Sequence, residues 1–72
     1  PSDADAWNNK GNSLNSLGKY DEAITSYDQA IKIDPSDADA WNNKGNSLNS
    51  LGNHDEAKKC YDRSRELGYD CW

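Results

Sequence analysis

The chain has 72 residues, 33% of them hydrophobic, with three Trp and four Tyr but no Phe or Met, which allows one small domain with a thin core and no more. Thirteen Asp and Glu against eight Lys and Arg leave a net charge of -5; such a surface repels phosphate backbones, so it excludes nucleic acid and favours a basic or neutral protein partner. No apolar run reaches the roughly 18 residues that a membrane span needs, and the N-terminus lacks the charged-then-apolar pattern of a signal peptide. A start at Pro1 without Met points to processing or trimming.

The first predicted element is a helix over residues 3–17. Ser2 and Asp5 stand three apart, as Ser36 and Asp39 do. That is a capping box with Asp in place of Glu, in which the hydroxyl accepts from a first-turn N–H and the carboxylate reaches back. The acids also face the positive end of the helix dipole. Trp7, Gly11, Leu14 and Leu17 fall on one helical stripe, and Gly18 stops the helix with a left-handed cap. The second helix is expected over 21–33, with Ala23, Ile24, Tyr27, Ala30, Ile31 and Ile33 as its apolar positions. Pro35 ends it, because the residue before a proline avoids helical geometry and proline donates no N–H.

Residues 1–18, PSDADAWNNKGNSLNSLG, recur unchanged as residues 35–52. The third helix, expected over 37–51, therefore repeats the first, with Trp41, Gly45, Leu48, Leu51 and Gly52 in the same roles. The fourth, over 55–67, is a modified copy of the second. Lys58, Ser64 and Arg65 stand where the second helix has Ile24, Ala30 and Ile31, and Gly68-Tyr69 replaces Asp34-Pro35. An interior repeat needs that face apolar and a terminal repeat needs it polar, so residues 55–67 read as the last helix, with Gly68 as its stop. Joints this short pack neighbouring helices antiparallel. A tail over 69–72 ends in Trp72, which covers the end of the last helix, inserts into a neighbouring molecule, or is foreign to the domain.

The period is 34 residues, and beyond the first 18 positions the two units agree at five more. A period of this length marks a stacked repeat whose units cannot bury their apolar faces alone. The pattern resembles the tetratricopeptide repeat (TPR) family. The first unit, 1–34 with the proline that follows, supplies Trp7, Gly11, Leu14, Tyr20, Ala23, Tyr27, Ala30 and Pro35; the second, 35–68, supplies Trp41, Gly45, Leu48, His54, Ala57, Tyr61 and Ser64. The resemblance implies an all-α fold of two antiparallel helix–turn–helix repeats in a short right-handed solenoid. Gly11 and Ala23 are small where helices approach closely, and Tyr27 fills the gap a small partner leaves. The family usually has an apolar residue where this chain has Lys10 and Lys44; a lysine there lays its stem on the core edge and sends its ammonium to water. Identity even at Asn8, Asn9, Asn15 and Ser16, where packing imposes little, implies recent duplication or deliberate design.

In this family the first helix of each repeat lines a concave groove. Here that face carries Asn8, Asn12 and Asn15, repeated as Asn42, Asn46 and Asn49, with Lys10 and Lys44 at the rim. Asn both donates and accepts, so such a row bonds a peptide backbone without demanding a sequence. The competing reading is a solvated face with no ligand. Clamping of a terminal carboxylate is disfavoured: Asn12 and Asn46 match the clamp asparagine, but Asn8, Asn42 and Asp5 or Asp39 stand where cations would be needed. Trp7 and Trp41 read as core.

No metal or cofactor is expected. His54 and Cys60, six apart, share no helical face and fall short of a structural zinc site. Asp34, Asp37 and Asp39 lack the glycine and closing glutamate of a calcium loop. No nucleophile, base and orienting acid can be assembled, so catalysis is not expected. Cys60 and Cys71 read as ordinary thiols of a reducing, cytoplasmic compartment; a bridge between them, or between molecules through Cys71, are the alternatives. The expected function is a non-catalytic protein-interaction scaffold that holds a peptide or partner helix in the Asn groove. The alternative is a structural unit that associates with itself, burying Ala4, Ile24 and Ile31 at one end and Tyr69 and Trp72 at the other.

Overall fold

The structure, a computed structural model, describes residues 3–68. Ser2, half of the first expected capping box, and Tyr69, Cys71 and Trp72 of the tail lie outside the described residues. Four helices follow one another: α1 (Asp3–Ser16), α2 (Tyr20–Ile33), α3 (Ala38–Ser50) and α4 (His54–Glu66). α1 packs against α2 and α3 against α4, and the two hairpins join where α2 meets α3. This is the expected all-α solenoid, with helix ends within a residue or so of the sequence-based boundaries.

One glycine turn closes each hairpin, and the two turns are built in the same way. Gly18 takes a φ of 79° and Gly52 a φ of 87°, a region open to glycine at little steric cost. Gly18 N–H then donates to the Asn15 carbonyl at 3.0 Å and Lys19 N–H to the Leu14 carbonyl at 2.9 Å, and Gly52 and Asn53 repeat both bonds. That double bond pattern satisfies the last carbonyls of α1 and α3. The Lys19 and Asn53 carbonyls at once accept from Ala23 and Ala57 N–H, which starts α2 at Tyr20 and α4 at His54.

The cap of α3 departs from expectation. Its N-cap is Asp37, whose carboxylate accepts from Ala40 N–H at 3.3 Å. Ser36 instead donates its hydroxyl to Asp34 Oδ1 at 2.7 Å. The Ser36–Asp39 capping box therefore does not form. The reason is local: Asp34 draws Ser36 into the turn that follows α2, and Asp37, an equally good cap, takes the extended backbone the position needs.

The core is small and lies between the helices rather than at one centre. One cluster joins Ala4, Ala30 and Ala40 with Trp7 and Ile31 against them. The other joins Leu48, Ala57 and Cys60 with Ile24, Trp41 and Tyr61. Ala4, Ile24 and Ile31 are thus not an open end awaiting a partner. They pack inside the chain, Ile24 and Ile31 at the joint of the two hairpins, because α3 already occupies the face of α2 that these residues present.

Close approach within each hairpin rests on glycine. A Cβ on Gly45 would stand 2.7 Å from Tyr61 Cε1, and one on Gly11 would overlap the Tyr27 ring. Tyr27 is buried in the space so created. The buried hydroxyls of Ser47 and Ser64 donate to Asn15 Oδ1 and the Ala38 carbonyl, both at 2.9 Å, as burial of polar groups requires.

Candidate functional site

The six asparagines arise from two identical helical stretches, so each helix sets them at the same three levels. Asn12, Asn46 and Asn49 are exposed, and Asn8, Asn15 and Asn42 are half-buried. Each described bond fastens an amide oxygen to the protein itself. Asn12 Oδ1 accepts from the Tyr27 hydroxyl at 2.7 Å, and Asn46 Oδ1 from the Tyr61 hydroxyl at 2.6 Å. Asn8 Oδ1 accepts from Asn43 Nδ2 at 3.0 Å, and Asn15 Oδ1 from the Ser47 hydroxyl at 2.9 Å. Asn49 Oδ1 lies against His54 Nδ1. Asn42 is engaged as well.

Two kinds of bond result. Asn12–Tyr27 and Asn46–Tyr61 tie the two helices of one hairpin, while Asn8–Asn43 and Asn15–Ser47 tie α1 to α3. The row therefore holds the fold and faces solvent at once. With its oxygen committed, an asparagine keeps its Nδ2 hydrogens and one further lone pair for anything outside. Burial pushes the Tyr27 hydroxyl above the usual tyrosine range, opposed by the neighbouring Ser47 hydroxyl. It stays protonated and donates to Asn12 across the physiological range.

The two lysines differ. Lys10 is exposed, its ammonium 5.1 Å from the centre of the Trp7 ring. Lys44 lies 5.8 Å from the Trp41 ring and reaches Asp28 on α2 at 2.7 Å. Lys44 thus bridges the two hairpins, with its ammonium over the Trp41 ring. Cys60 is buried at the same joint. Burial raises its thiol, Lys44 opposes that, and Asp28 and Glu56 add to it, so the group stays a thiol at neutral pH.

The partners of the asparagine row, namely Tyr27, Tyr61, Asn43, Ser47 and His54, escape the reading of residues alone. Tyr27 and Tyr61 appear there as packing rings and His54 as a packed turn residue. A signal was present: Asn12 with Tyr27 and Asn46 with Tyr61 recur at one spacing of 15 residues. A hydroxyl repeated in register with an amide is a candidate bond.

A TPR-repeat family model matches residues 11–48, and a tetratricopeptide-repeat model matches residues 38–67. No curated protein matches the chain at a significant level. Repeats of this kind are generally protein–protein interaction modules. With its paired helices, its glycine–tyrosine contacts and two family models spanning both hairpins, this chain belongs to the tetratricopeptide repeat family.

Proposed function

We propose that this chain is a non-catalytic scaffold that binds an extended peptide or a partner helix along the row formed by Asn8, Asn12 and Asn15 of α1 and Asn42, Asn46 and Asn49 of α3. The observation that supports this reading is the internal fastening of the amide oxygens by Tyr27, Tyr61, Asn43 and Ser47. Side chains already held in place lose less freedom on binding. What they keep to offer is chiefly N–H, which suits the carbonyls of a peptide backbone. Lys10, exposed beside Trp7, adds a positive charge at the edge. Lys44 contributes less, since Asp28 already holds it. No described helix is long and apolar enough to cross a membrane, and a buried thiol at Cys60 suits the reducing interior of a cell, where we place the protein.

The test is a screen of short unstructured peptides, read by NMR of the asparagine side-chain amides. Binding along the row shifts the Nδ2 signals of Asn12 and Asn46, and Asn12→Ala with Asn46→Ala weakens it at least tenfold. Peptides that bind while leaving those signals in place, or that tolerate the double substitution, would sink the reading.

A further inference from the structure

A cleft of about 290 Å³ opens at the edge of the molecule that carries the two glycine turns. Gly18, Lys19, Tyr20, Asp21 and Glu22, where the first turn runs into α2, line one side, and Leu51 at the end of α3 lines the other. Leu51 repeats Leu17, yet Leu17 is 70% exposed and Leu51 39%. The difference follows from position: Leu51 faces the first turn across the cleft, and no described turn stands before Leu17. Leu51 thus keeps part of its apolar surface in water beside two carboxylates. Asp21 and Glu22 are exposed, and no described residue forms an ion pair with either. The Thr25 hydroxyl donates to the Asp21 carbonyl at 3.2 Å and leaves its carboxylate untouched.

We infer that this cleft is a docking site for a partner segment that carries arginine beside an apolar residue. The apolar residue rests on Leu51, and the guanidinium pairs with the carboxylates of Asp21 and Glu22. The argument is charge complementarity. Two unpaired carboxylates against the one ammonium of Lys19 leave the lining negative, and the chain as a whole carries -5. Arginine suits the site better than lysine. Its planar fork matches a carboxylate, and its weakly hydrated face can lie on an aromatic ring, which the half-buried Tyr20 supplies. The inference is independent of peptide binding along the asparagine row.

Neither the remaining residues of this sequence nor a second copy supplies that segment. α4 starts at the edge that holds the cleft and runs away from it for 13 residues, about 20 Å. Residues 69–72 reach about 14 Å even when fully extended, and they include no arginine. A second copy carries the same -5 charge, which opposes its approach. Its two arginines are already paired, Arg63 with Glu66 at 3.1 Å and Arg65 with Asp62 at 2.5 Å.

The experiment titrates the full chain with the acetylated, amidated peptide Gly-Leu-Arg-Leu-Arg-Gly and with its counterpart carrying glutamate for arginine, read by NMR. The arginine peptide is expected to shift the backbone amides of Gly18 to Glu22 and the methyls of Leu51, and to leave the Nδ2 signals of Asn12 and Asn46 in place. The glutamate peptide is expected to shift neither set. Asp21→Asn with Glu22→Gln keeps the shape without the charge and is expected to weaken binding about fivefold, as loss of two exposed ion pairs would. Leu51→Ala is expected to weaken it as well. No shift at the cleft, equal binding of the glutamate peptide, or unchanged affinity in either variant overturns the inference. Shifts confined to Asn12 and Asn46 place the peptide on the asparagine row and overturn it too. So do Leu51 methyl shifts that grow with protein concentration before any peptide is added, since a second copy then fills the cleft.

Discussion

Gly11 and Gly45 sit where no side chain fits beside the rings of Tyr27 and Tyr61. Overpacking a tight helix contact costs about 1–3 kcal/mol. Gly45→Ala is thus expected to lower stability by that amount, read as a fall in the urea midpoint at unchanged slope; no change would mean the helices part without loss. The tyrosine hydroxyls make a finer comparison. Tyr27→Phe removes the donor to Asn12 from a buried ring, Tyr61→Phe the donor to Asn46 from a half-buried one. A bond of this kind contributes about 0.5–1.5 kcal/mol net, less where water can replace the partner. Tyr27→Phe is expected at the upper end and Tyr61→Phe at the lower, by chemical denaturation. Equal losses would show that ring burial does not set the cost. That Gly and Tyr meet was legible in the sequence, because a missing side chain facing a large one is a packing statement. That the same tyrosines hold the asparagines was not, because hydroxyl direction depends on the final helix separation.

At the level of the element, the turn before α3 separates two caps that look alike on paper. Ser36 bonds Asp34, and Asp37 caps the helix. Asp37→Ala is expected to cost about 1 kcal/mol, the usual worth of a cap, and Ser36→Ala a few tenths, by thermal unfolding; the reverse order would restore the Ser36 cap. The pH dependence has a definite sign. Burial, first, and then Asp39 and Asp34 hold the Asp37 carboxyl above the usual aspartate range, partly offset by the Ala40 N–H. The folded state then keeps this proton to higher pH than the unfolded state does. Its contribution is full below the unfolded value and is lost as pH climbs through the raised folded value. Asp37→Asn, which keeps an acceptor without the charge, is therefore expected to gain on the parent chain between about pH 3 and pH 6. A difference that stays flat across that range would contradict the assignment. The second and fourth helices show the same dependence on context: Ile24 and Lys58 hold equivalent places, but only Ile24 meets another helix.

Across the whole molecule, stability is shared at the joint of the hairpins. Ile24 and Ile31 of α2 complete clusters that include residues of α3. Ile24→Ala removes apolar volume from that joint and is expected to cost roughly 2 kcal/mol, the low end for such truncations because the site is half-buried. One transition, followed by both circular dichroism and tryptophan fluorescence, is expected to move down as a unit. Two separated transitions would mean that the hairpins fold independently. The sequence by itself determined the helices, their order, the repeat, and the polar character of the last helix, since periodicity, stop glycines and terminal charges are local properties that survive any packing. Only the tertiary structure decided which identical residues are buried: Ser47 and Ser13, or Ala40 and Ala6, differ in nothing but their neighbours. Burial belongs to the pair of surfaces that meet, and a sequence that says the same thing twice cannot state which copy has a partner.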